Sequence, residues 1–162
     1  MLFRSGDHAR TSYLYHRVNR LLFFVGAAVA GVLIPWAADL LRLVLGEAYV
    51  GGAAALGIML LFPTHQAMGQ IGATMMYATE RVRTQVLIGG SMMCVGMLST
   101  YFVLAPATNP IPGLGIASTG LAVKMVGVQI VSVNVLAFTI ARIQRWEFDW
   151  THQPICIGAC VA

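Results

Sequence analysis

The chain has 162 residues, 58% of them hydrophobic and 10% charged, with a formal net charge of +4. Its mean hydropathy is +0.77. A water-soluble domain of this length could not bury so much apolar surface, so the composition excludes one and makes a bilayer the natural solvent. The basic residues flank apolar runs and leave no surface to track a phosphate backbone, which argues against nucleic acid as a partner.

In chain order, SGD at positions 5–7 reads as a turn or helix start, with Ser5 or Asp7 as cap. The stretch ARTSYLYHRVNR then sets Tyr13, Leu14 and Val18 among Arg10, Arg17 and Arg20. It predicts a cytoplasmic helix that either runs into the first span or lies at the interface. Spanning the hydrocarbon core takes about 20 apolar residues in a helix. Four runs qualify, at about 21–45, 52–78, 85–105 and 114–141. They are continuous and do not alternate, so the expected fold is all-α, a polytopic bundle in one transmembrane domain covering 1–162. The last residues, PICIGACVA, read as the start of a fifth span. The first run is not a secretory signal: it is too long, and about twenty mostly polar residues precede it. Cys94, Cys156 and Cys160 show no ligand spacing and read as small core residues.

Arginine places the loops. Arg4, Arg10, Arg17, Arg20, Arg81, Arg83, Arg142 and Arg145 fall on one side if all four runs cross, and only Arg42 falls on the other. The positive-inside bias predicts an inner (cytoplasmic) membrane protein with a cytoplasmic N-terminus, in contact with anionic membrane lipids. Trp36, Tyr49 and Tyr101 then mark the outer interface, and Tyr77, Trp146 and Trp150 the inner one.

Small residues four apart predict helix-contact faces at Gly26 and Ala30 and at Ala53 and Gly57. A third such face joins Ala117, Gly120 and Gly127. Pro35 and Pro63 predict kinks. In the second run Gln66, Gln70, Ala73 and Tyr77 recur at helical spacing, with His65 about a quarter-turn away. This stripe is either interhelical hydrogen bonding or one wall of a translocation cavity. Asp39 and Arg42, three apart, predict an interfacial pair.

Lys124 is the one lysine of the chain. Counted from Leu114 it lies about 15 Å along the fourth run, near the midplane of a core about 30 Å thick. A lysine held there costs on the order of 3 kcal/mol. It shares a side with Gly120 and Gly127, so the expectation is a cavity-facing charge offered to an anionic head group; the alternative is snorkelling to the outer interface. No catalytic constellation, metal-ligand cluster or cofactor motif is present, so the chain is not expected to be an enzyme and no cofactor or metal is expected.

Serial order adds a resemblance. A basic amphipathic start, LLRLVLGEAYVGGAAALGIMLL with Gly46 and Tyr49, the loop ATERVRTQ, and the entry GLGIASTGLAV follow one another. This order resembles the later part of Wzx-type polysaccharide flippases, in the multidrug/oligosaccharidyl-lipid/polysaccharide exporter superfamily, from Ser5 to about Arg145. The resemblance implies two bundles in a complete relative, with this chain matching about the ninth to twelfth spans and the start of the thirteenth. It further implies a fragment that works with a missing N-terminal bundle or another copy. The implied substrate is a polyprenyl-pyrophosphate-linked glycan, moved to the outer leaflet by alternating access around a cationic cavity. Lys124, Gln66, Gln70 and Tyr77 are the expected cavity residues. A lipid II flippase, a drug/cation antiporter and a non-transporting membrane subunit or remnant are the other readings.

Overall fold

The computed structural model describes residues 8–106, 108 and 111–146. The expected fifth span, the cap at Ser5 or Asp7, Trp150 and two of the cysteines lie outside the described residues. The described chain is all α-helical: α1 His8–Leu33, α2 Ala37–Leu45, α3 Ala53–Met59, α4 Phe62–Ala78, α5 Val82–Leu104 and α6 Ser118–Gln144. Together they make four segments long and apolar enough to cross a membrane, Ala9–Leu45, Glu47–Ala78, Val82–Leu104 and Ser118–Gln144.

Two of these segments are broken, and proline accounts for the places. Pro35 cannot donate to Gly31, and the chain tightens to a 3₁₀ turn over Ile34–Trp36 between α1 and α2. Pro63 sits in the first turn of α4, just after the turn at Leu60 and Leu61 that separates it from α3. The N-terminal amphipathic stretch does not lie apart at an interface. It is the first part of α1 and continues into the span without interruption.

The fourth span begins later than its hydrophobicity suggests. Leu114 to Ala117 are not helical, and they run back along the end of α5. Leu114, Gly115 and Ile116 donate their N–H groups to the carbonyls of Phe102, Ala105 and Val103, at 2.8, 3.0 and 3.0 Å. These are carbonyls that a helix end leaves without an intrahelical donor. Gly115 takes a φ of +61° in this return. The apolar Leu114 and Ile116 thus extend the apparent run without belonging to the helix.

At the arginine-rich end two helices close in the same way. Arg81 N–H donates to Met76 at 2.9 Å after α4, and Trp146 N–H to Ala141 at 2.9 Å after α6. Glu80 and Arg145 occupy the left-handed position between, at φ of +60° and +57°. This is the six-to-one closure usually made with glycine.

α6 lies in the middle, against α3, α4 and α5, while α1 packs on α4. Its inward stripe is Ala122, Val126, Val133, Leu136 and Ile140, spaced at three, four and seven. α4 answers with Thr64, His65, Met68, Gly72 and Met76. Phe23, Met68 and Val133 form one core cluster. Met76, Leu136 and Ile140 form a second, into which Tyr15 and Trp146 pack. Gly26 of α1 lies directly on Thr64, and Ala30 one turn on is fully buried, so that small-residue pair is a contact face. Gly127 is not: the space where its side chain would stand is open. α5 buries none of its residues within the described chain.

Candidate functional site

Because α6 starts at Ser118, Lys124 is six residues into the helix, about 9 Å from its end. The 27 residues of α6 make about 40 Å of helix, so a core of about 30 Å centred on it places Lys124 in the third of the membrane nearest the N-terminal end of α6, not at the midplane. The side chain does not run along its own helix to the nearer interface. Its ammonium crosses to α5 and donates to Thr100 Oγ1 at 2.7 Å, with Met125 Sδ at 3.7 Å. Thr100 in turn donates to the Gly96 carbonyl at 2.7 Å. Gly96 lies beside the ammonium: a methyl there would stand in ordinary contact, 4.0 Å from Nζ. A lysine thus lies half-buried in the α5–α6 seam, held by a neutral hydroxyl. Among the described residues no carboxylate pairs with it.

The structure does not bring Lys124 together with the glutamine stripe. Lys124 lies about 160° around α6 from the face that meets α4, where Gly69 packs on Gln129 and Val133. On α4 the stripe points away from the core: Gln70 and Tyr77 are exposed and Gln66 is half-buried. Its centre is about 140° from the buried stripe of Thr64, Met68, Gly72 and Met76. Packing decides the face. Gly72 lets Leu136 approach to 2.7 Å of where a side chain would begin, which a stripe bearing two glutamines could not offer.

Thr64 and His65 are, with Asn19, the polar residues that the fold does bury among those described, at 5%, 3% and 9% exposure. His65 directs Nδ1 to the carbonyl of Leu61 at 3.2 Å and sets its ring edge-on to Phe23 at 6.4 Å. Sequence spacing placed His65 beside the stripe; only the packing of Gly26 and Gly72 shows that its side of α4 is the interior one.

At the far end Arg42 bonds Asp39 at 3.0 Å, as the three-residue spacing predicts. Its Nε also donates to Glu47 at 2.6 Å. Gly46, at a φ of +94°, turns the chain so that Glu47 comes back over the last turn of α2. All three side chains are more than half exposed, so the cluster fixes a turn and contributes little free energy.

Four apolar crossing segments, one central helix and polar groups at membrane depth define a polytopic α-helical membrane protein. Compared with known proteins, the chain matches no family model, no curated protein and no solved structure.

Proposed function

We propose that this protein takes part in translocation of a lipid-linked oligosaccharide across the cytoplasmic membrane. Lys124 carries the proposal. A cation in the outer third of a bilayer, bonded to a hydroxyl and matched by no described carboxylate, attracts an anion such as a pyrophosphate head group. The outward stripe of Gln70, Thr74 and Tyr77 on α4 supports the reading. Amides at membrane depth are poorly served by lipid, so this face suits a second helical bundle or another copy of the chain, with water or a glycan between. The resemblance to Wzx-type flippases points the same way, and the arginine distribution supports a cytoplasmic N-terminus. A proton- or sodium-coupled antiporter is less favoured, because Asp39 is already engaged by Arg42 at the helix end.

The test is a leaflet-exchange assay in proteoliposomes holding a fluorescent polyprenyl-pyrophosphate oligosaccharide, read by access of a membrane-impermeant glycosidase. The wild-type protein should raise the exchange rate, Lys124→Gln should remove the increase, and Lys124→Arg should keep part of it. Equal rates for the wild type and the glutamine variant would overturn the role of Lys124. No exchange above empty vesicles would overturn the function.

A further inference from the structure

The two helix breaks face each other, and a cleft lies between them. Its wider part, of about 620 Å³, runs between Pro35, Ala37 and Ala38 on one wall and Ala53, Ala54 and Gly57 on the other. Its narrow part, of about 60 Å³, reaches Thr64 and His65. Gly31, Ile34 and Leu61 line both parts, so the two adjoin. The wide part falls in the size range of small-molecule sites. Its walls are apolar, and the polar groups are gathered at the closed end.

The closed end has unused hydrogen-bonding capacity. The Leu61 carbonyl can only accept, so His65 Nδ1 carries the proton toward it, and Nε2 of the neutral ring is an acceptor. Among the described residues Nε2 has no protein partner, and neither has the Thr64 hydroxyl. Both side chains are more than nine-tenths buried. Neither atom is among the fully sealed unpartnered ones, so both stay open to a ligand, and in an apolar surrounding each gains from a hydrogen bond.

We propose that this cleft binds a hydrophobic alcohol, its hydroxyl seated between His65 and Thr64 and its apolar body lying in the groove. A hydroxyl donates to Nε2 and accepts from Thr64, which satisfies both groups at once. A bare acyl tail would satisfy neither. An ammonium is disfavoured, since no carboxylate lines the cleft to balance its charge. The inference stands on α1 to α4 and does not depend on Lys124 or on the transport reading.

The experiment uses a diazirine-bearing hexadecanol and its methyl ether on the purified full chain in nanodiscs, with labelled peptides mapped by mass spectrometry. The alcohol should label the Ile58–His65 stretch saturably, with competition by plain hexadecanol. The ether should label it about fivefold less, the loss of one hydrogen bond. Gly31→Leu should abolish labelling by both probes. Gly31 lines both parts of the cleft and a Cβ there meets nothing within 4 Å, so the longer side chain of leucine is expected to take up cleft volume. His65→Phe keeps the ring against Phe23 and should bring the alcohol down to the level of the ether, leaving the ether unchanged. Equal labelling by alcohol and ether, or full labelling of the Gly31 variant, would overturn the site. If His65→Phe unfolds, Thr64→Val serves in its place; an ether oxygen also accepts from Thr64, so labelling by both probes should fall, and unchanged labelling by both would overturn the site.

Discussion

Lys124 Nζ and Thr100 Oγ1 meet at 2.7 Å across the seam of α5 and α6, 24 residues apart in sequence. The bond replaces snorkelling: the ammonium finds a neutral acceptor within the membrane and does not extend to the interface. Interhelical hydrogen bonds in bilayers average only about 0.6 kcal/mol, with about 1.7 as an upper value. A double-mutant cycle of Lys124→Met and Thr100→Val should therefore show a coupling in that range, measured by unfolding in mixed micelles. Coupling indistinguishable from zero would mean that the lysine spends its time elsewhere. Thr100→Val alone should leave the protein inserted and weaken anion binding less than Lys124→Gln does.

The orientation proposed from arginine can be read directly. With Cys94, Cys156 and Cys160 replaced by serine, Thr108→Cys should react with an impermeant maleimide added to intact cells, and Arg81→Cys should react only after lysis. The reverse pattern would invert the topology and place Lys124 in the inner leaflet.

How far the sequence reaches differs from element to element. The four crossing segments were legible because each is a long apolar run, and length alone then dictates a helix. The start of α6 was not, because Leu114 and Ile116 are as apolar as a span while their N–H groups are taken by the last carbonyls of α5. That shift of four residues is what moves Lys124 off the midplane. The buried face of α4 was not legible either. Both of its stripes carry polar groups, and the choice rests on whether glycine on one helix meets bulk on another, as Gly72 meets Leu136. The Asp39–Arg42 pair was legible from its spacing, but Glu47 joins only because Gly46 reverses the chain.

The outward stripe separates stability from function. Gln66→Leu with Gln70→Leu should change the unfolding free energy by no more than about 0.5 kcal/mol, as expected for positions away from the core. The same pair should lower leaflet exchange if the stripe lines a hydrated path. A loss of stability of about 2 kcal/mol or more would show instead that this face is packed in the isolated chain.

Glycines that look alike in sequence should respond in opposite ways. Gly26 lies against Thr64, and the side chain of an alanine there would fall on the Thr64 hydroxyl and methyl. Thr64 is buried in the α1–α4 contact, and its side chain is short and β-branched, so relieving the clash takes a rotamer change or a parting of the two helices. Gly26→Ala should destabilise by about 1–3 kcal/mol, the usual cost of overpacking. Gly127 stands on α6 with open space beside it, and its alanine variant meets nothing. There the change removes only the backbone freedom of glycine, and Gly127→Ala should stabilise by roughly 0.5–1 kcal/mol. Thermal unfolding of both variants in the same detergent checks the pair. A neutral Gly26→Ala would show that α1 does not hold its close approach to α4. A destabilising Gly127→Ala would mean that another helix covers that side of α6 in the membrane.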